Sequence, residues 1–383
     1  MVRQRSLSMG LKIGLEGQGM KIGVMLRHIA EKGGIVVYTS HLLHTLLQLD
    51  TTNQYVLMYQ NPKDLGHFAD YPNAVETVVS APNKLFWDQI AVPHFAKKNQ
   101  LDIIYNPKLS IPLLTRCKTV WVMHGGAQAV VPHLFKRFDR LYFKWANKIY
   151  AKRATAIITM TYLGAQDIIN YMGADEQKIH VIHEAFNPLC QLLDRTATQK
   201  VQAKYQLPDP FILFVGGLSP LKNFSNLLQA YHRLQADIAH QLVVVGFNRW
   251  KFSGDLDLVD QLGLRDRVRF IGFVPDEEIP AFYNLADLFV FPSLYEGFGI
   301  PILEAMACGC PVVTSKTGCG PEVAGEAALL VDPYSPADIA QAIYTLLTDE
   351  PLRQALKEQG VKRAEQFSWH KCAQQTLALF QSL

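Results

Sequence analysis

At about 150 residues per domain, a chain of 383 residues is long enough for two or three domains, each burying its own core. Hydrophobic residues make up 49% and charged residues 19%, and with 25 Gly and 20 Pro this is an ordinary globular composition that excludes a disordered, collagenous or coiled-coil chain. The 37 Lys and Arg against 34 Asp and Glu leave a net charge of +3, too small for a surface built to neutralise duplex phosphates, so no nucleic-acid partner is expected.

In chain order, M-V-R-Q-R-S-L-S-M-G is basic but lacks the apolar core of a signal peptide. K-I-G occurs in both L-K-I-G-L-E-G-Q-G and M-K-I-G-V-M-L, which puts the expected start of the folded part at Met20 and leaves residues 1–19 without assigned structure. Short runs rich in Val, Ile and Phe, each followed by helical periodicity, then predict strands over 21–26, 55–59, 74–79, 103–105, 119–123, 156–160 and 178–182. The uncharged run 119–135 contains Gly125, Gly126 and Pro132 and is not a spanning helix. A break over 184–210 separates these strands from a second set at 211–215, 241–245, 268–270, 288–291, 311–314 and 328–331. Helices are expected over 336–347, 350–366 and 369–381, with the last able to pack back on the first half. Alternation of this kind predicts α/β architecture with parallel sheets, in two Rossmann-like domains over 20–190 and 206–383. Open parallel sheets bind ligands at the carboxyl ends of their strands, so the cleft between the halves is the expected active site. The six cysteines (Cys117, Cys190, Cys308, Cys310, Cys319 and Cys372) show no C-x-x-C spacing and read as reduced thiols of a cytoplasmic protein.

From Ala286 the chain reads A-D-L-F-V-F-P-S-L-Y-E-G-F-G-I-P-I-L-E-A-M-A-C-G-C-P-V-V-T-S: strand, glycine-bearing loop, short helix, strand. Pro301 suits the first helical turn and Gly309 the helix end. Gly297 and Gly299 leave the helix N-terminal amides open, an anion site suited to a diphosphate. Glu304, one turn into the helix, is within reach of a ribose diol beside those phosphates, and Glu296 lies on the side of a sugar beyond them. Asp255 and Asp257 match D-x-D but fall in a loop-helix stretch and receive no metal role.

The two glutamates with seven residues between them, F-G among these, and E-A-M-A-C-G-C-P-V-V running on from the second, resemble the nucleotide-sugar site of the retaining glycosyltransferases of family 4. That resemblance covers almost the whole chain and is strongest over 211–332. It implies the GT-B fold, two Rossmann-like domains facing a central cleft, and transfer of a glucose- or mannose-type hexose from a UDP- or GDP-sugar to a hydroxyl acceptor, without a metal. No permanently bound cofactor is implied; the nucleotide sugar is a co-substrate. In I-L-F-V-G-G-L-S-P-L-K-N-F, Lys222 occupies the place of the family lysine on the donor diphosphate. Many members carry Arg immediately after the first glycine of this turn, where this chain has Gly217; Arg249 and Lys251 are candidate substitutes. Phe273 and Val274 match the segment whose backbone holds the base, and Phe298, Gly299 and Ile300 lie at the helix N-terminus beside the phosphates.

In the first half, E-K-G-G-I-V-V-Y resembles the turn that brings Gly33 and Gly34 to the donor phosphates, although a turn needing only flexible backbone would read the same. His124 stands where the family has a histidine facing the transferred sugar, with an orienting role and not that of a general base. Residues 132–155 interleave Lys136, Arg137, Arg140, Lys144, Lys148, Lys152 and Arg153 with aromatic residues. Such a helix either packs on the core with a solvated basic face or contacts an anionic membrane surface, which fits a lipid-linked acceptor and a cytoplasmic protein held at the inner face of the membrane. Two other readings share this architecture: a nucleotide-sugar 2-epimerase, and a catalytically silent nucleotide-binding subunit.

Overall fold

A computed structural model of the chain describes residues 19–31, 33–108, 110–246 and 253–383. The candidate cations Arg249 and Lys251, and residues 1–18, lie outside the described residues. The first half forms β1 (Lys21–Met25), β2 (Gln54–Tyr59), β3 (Ala74–Val78), β4 (Ile103–Asn106), β5 (Lys118–Met123), β6 (Ala156–Thr159) and β7 (Ile179–Val181). The second forms β8 (Phe211–Val215), β9 (Gln241–Val245), β10 (Val268–Gly272), β11 (Leu288–Phe291), β12 (Val312–Ser315) and β13 (Leu329–Val331).

Each set makes one sheet, in the orders β3-β2-β1-β4-β5-β6-β7 and β10-β9-β8-β11-β12-β13, and every strand pair is parallel. The strands are buried on both faces, as Val24, Leu57, Ile104, Val122, Leu213 and Val243 illustrate, because helices cover the two sides. The strand order reverses between β1 and β4 in one sheet and between β8 and β11 in the other. Those switch points open the crevices in which such sheets hold ligands.

The chain crosses between the sheets through residues 182–194 and the helix Arg195–Tyr205. It returns at the far end, where the helix Trp369–Ser382 packs on the helix Gly34–Leu49 of the first half. Trp369 stacks on His41 with ring centroids 5.4 Å apart and meets Tyr38 edge-on, and Phe380 meets Tyr105 edge-on at 5.5 Å. Each such buried aromatic contributes about 1.5–3 kcal/mol, so the strap is a substantial part of the first domain's core.

Glu184 lies in the crossing, 5% exposed, with Oε2 lacking a hydrogen-bond partner. Burial pushes the Tyr38 hydroxyl and the Cys372 thiol upward, and the nearby Glu184 adds to both shifts. Burial raises its own carboxyl to about 8, so the folded protein holds it neutral at pH 7. An acid whose pKa rises on folding contributes stability that is full below the unfolded pKa and is lost as pH climbs through the folded value. Thermal unfolding between pH 5 and 8 should therefore show Glu184→Gln gaining on the parent as pH rises, by on the order of 3 kcal/mol at the upper end. A constant difference across that range would show that Glu184 is ionised in the folded protein.

Candidate active site

Lys222 is the last residue of a 3-10 turn, Pro220–Lys222, that follows β8. The turn is pinned on both sides of the lysine. Leu221 accepts a hydrogen bond from the Leu294 amide at 2.8 Å, and the buried Asn223 amide donates to the carbonyls of Pro292 and Pro333 at 2.9 and 2.6 Å. Asn223 has φ 57°, a left-handed conformation that asparagine tolerates better than most residues. Nζ of Lys222 consequently lies 4.4 Å from the centroid of the Phe291 ring and 2.8 Å from Oε1 of Glu296. The expected diphosphate cation and the expected sugar carboxylate thus form one ion pair, which their separation in sequence did not reveal.

The glycines around this pair set the shape of the floor. A Cβ on Gly246 would meet the Gly216 carbonyl at 2.2 Å, so the turns after β8 and β9 touch backbone to backbone. Gly216 donates to Val245, and Gly246 to Gly272, at 2.9 and 2.8 Å, linking three strand ends in one tier. Gly217 follows in the same turn and adds no side chain. Gly299, with φ 88°, starts the helix Ile300–Ala307 and leaves its first amides without a side-chain cap. Glu304 lies farther along that helix. Its Oε2 accepts from the Tyr283 hydroxyl at 3.1 Å, and burial raises the carboxyl to about 7 against the opposing hydrogen bonds from Tyr283 and the Asn187 amide.

Phe298, like its neighbours Gly299 and Ile300, stands at the start of the helix Ile300–Ala307. Its ring lies in the core between His183 and Phe367, at 6.2 and 5.7 Å, so only its backbone is placed to serve a ligand. Val274 is likewise buried, consistent with a backbone role, while Phe273 is exposed.

The first domain closes over this floor. Gly33, with φ 123°, is the N-cap of the helix Gly34–Leu49, and a Cβ on Gly34 would lie 3.9 Å from Cδ1 of Ile300. Helix N-termini from the two domains therefore adjoin across the cleft. His124 immediately follows β5, and its Nε2 lies 2.8 Å from the Pro107 carbonyl, an acceptor only, so Nε2 carries the proton and Nδ1 is left as an acceptor. Burial lowers this imidazole to about 4, with Lys108 adding to the effect, so it is neutral at pH 7.

Sequence reasoning missed the residues that lock the halves together. The Tyr295 hydroxyl accepts from the Gly126 amide at 2.8 Å and donates to Asp167 at 2.7 Å. Glu322 accepts from the amides of Tyr162 and Leu163 at 2.9 and 3.2 Å and faces His183 at 3.0 Å, contacts that hold its carboxyl below the usual range. Arg27 and Lys108 also stand at the carboxyl edge of the first sheet, paired with Asp88 and Glu31. Their only sequence signal is position just after a strand. Among the described residues, no cluster of three or more His, Cys, Asp or Glu is arranged to hold a metal ion.

Comparison with known proteins agrees with this fold. Residues 196–363 match the family described as Glycosyl transferases group 1, and residues 32–188 match Glycosyltransferase Family 4. O-antigen chain mannosyltransferase B of Escherichia coli is 40% identical over 186 residues, 48% of this chain and 49% of that protein. The serotype-specific mannosyltransferase WbdA of Escherichia coli is 34% identical over 270 residues, 67% of this chain and 32% of that protein. The matched stretches thus span about half and about a third of those relatives. Among solved structures, Anabaena Alr3699/HepE in complex with UDP and glucose superposes with a TM-score of 0.76 at 20% identity, over 95% of this chain and all of that one. The two family matches take in all of the second sheet and all but β1 of the first, and the chain belongs to the family 4 glycosyltransferases of GT-B fold.

Proposed function

We propose that the protein is a retaining hexosyltransferase that moves a sugar from a UDP- or GDP-hexose to a hydroxyl acceptor, with mannose favoured by the names of its relatives. The observation that carries this reading is the Lys222–Glu296 pair at 2.8 Å, seated beside the uncapped start of the helix Ile300–Ala307. An arriving diphosphate competes with Glu296 for Lys222, and the freed carboxylate then accepts from hydroxyls of the sugar. Lys222 and the helix amides together stabilise charge on the departing nucleoside diphosphate, so the reaction needs no metal. His124, neutral and with Nδ1 as acceptor, orients the sugar. The leaving phosphate takes the proton of the acceptor hydroxyl on the same face, which retains configuration. Glu304 as a carboxylate accepts from the ribose diol.

Peripheral attachment to an anionic membrane at the cytoplasmic face belongs to this reading. The helix Arg137–Arg153 packs Tyr150 and Ala151 on the core and leaves Leu141, Trp145 and Ile149, spaced four apart, exposed among its cations. The core-packing and membrane-facing descriptions of this helix thus apply to different faces. Among the described residues, no helix is long and apolar enough to cross a membrane.

The first test is a thermal-shift panel of UDP, GDP, ADP and dTDP followed by donor turnover. A nucleotide at about one hundred times its dissociation constant adds about 2.7 kcal/mol. Loss of this shift in Glu304→Ala would locate the donor, and Lys222→Ala should lower turnover roughly 10²–10³-fold. No shift with any nucleotide would defeat the proposal, and epimerised donor without acceptor would assign an isomerase instead. The raised carboxyl of Glu304 gives a second prediction. Because ribose binding requires the ionised form and the free protein protonates it near pH 7, affinity for the nucleotide sugar should fall as pH drops below about 7, approaching tenfold per unit. Glu304→Gln should bind more weakly and lose that slope; calorimetry from pH 5.5 to 8.5 checks both. Vesicle sedimentation tests attachment: Trp145→Glu should weaken binding to phosphatidylglycerol vesicles and leave nucleotide binding unaltered.

A further inference from the structure

Two residues beyond His124, a groove of about 690 Å³ opens between the helix Arg137–Arg153 and the segment that follows Gly126. Gly126 forms one end of it, and the Gly126 amide holds Tyr295 next to Glu296, so the groove starts at the catalytic loop. Its wall carries Arg137, Arg140 and Lys144; among the described residues none of these forms an ion pair and no acidic residue lines the groove. Asn147 also lines it. That side chain is 4% exposed, yet its Oδ1 has no hydrogen-bond partner. A buried carbonyl oxygen left unpaired costs stability unless a ligand or water satisfies it. Leu141 and Met172 supply apolar wall, and Leu141 continues into the exposed stripe with Trp145 and Ile149.

Unpaired cations, an orphaned acceptor atom and an apolar exit define an amphiphile with a polar head at Gly126. We propose that this groove is the acceptor site and that the acceptor is a sugar joined through phosphate to a hydrocarbon chain. The sugar hydroxyls reach Asn147 and the catalytic loop, the phosphate lies among Arg137, Arg140 and Lys144, and the chain leaves over Leu141. This assignment rests on the transferase reading above.

The test uses calorimetry on the full chain with its donor site saturated by the nucleotide diphosphate that binds it, which keeps phosphate probes out of that site. Farnesyl diphosphate, dispersed below its micelle concentration, should bind, while inorganic diphosphate and farnesol should each bind at least tenfold more weakly. The exposed pair Arg140→Ala/Lys144→Ala should weaken farnesyl diphosphate binding roughly a hundredfold, about tenfold for each cation removed, and leave nucleotide affinity unchanged. Equal binding of inorganic diphosphate or farnesol, no binding of farnesyl diphosphate, or unchanged affinity in the double variant would overturn the groove assignment. Nucleotide binding without prenyl diphosphate binding overturns the groove alone. If the wild type binds no nucleotide either, the transferase reading falls with it.

Discussion

Everything at the cleft depends on one backbone-to-backbone contact. A Cβ on Gly297 would lie 1.8 Å from the His124 carbonyl, and one on Gly125 would lie 3.0 Å from the Gly297 Cα. Two loops from different domains therefore meet at a distance that only glycine permits. Thr161 reinforces the contact by donating to the Gly297 carbonyl at 3.1 Å. Glu296 sits between Tyr295 and Gly297, both held by the first domain, so the carboxylate that meets Lys222 is fixed by contacts outside its own sheet. Without the glycines the loops would stand apart, and the orientation of Glu296 would no longer be set.

Burial then divides the labour among the titratable groups. His124 is enclosed and donates to a carbonyl, which makes it a neutral acceptor with a fixed tautomer. Glu304 is enclosed with two weak donors, which leaves it near the midpoint of its titration at physiological pH. Lys222 instead keeps a carboxylate and an aromatic face as partners, so its charge is compensated. These are three different solutions to the cost of holding a polar group away from water.

The fold was legible because parallel strands buried on both faces read as continuous apolar runs, and helices read by their period. The strand pattern thus fixes both sheets and places Lys222, Glu296 and Glu304 at their carboxyl edge. The glycine-bearing loop before Pro301 marked the uncapped helix start for the same local reason. What stayed hidden was long-range. The Tyr295 link to Asp167 and the Glu322 cap on Tyr162 join residues more than a hundred positions apart, and no periodicity reports such pairs. The placement of the Phe298 ring was hidden in the same way, since its partners in the core, His183 and Phe367, are distant in sequence.

The strap formed by Trp369–Ser382 bears on how the protein is made. Ribosomes deliver the first sheet and the helix Gly34–Leu49 long before Trp369 and Phe380, which cover Tyr38, His41 and Tyr105. The first domain to emerge is therefore the last to be completed, and it waits through synthesis of the second with an aromatic surface uncovered. During that interval the nascent chain presents the kind of surface that chaperones hold, and translation speed through the second half sets how long the exposure lasts.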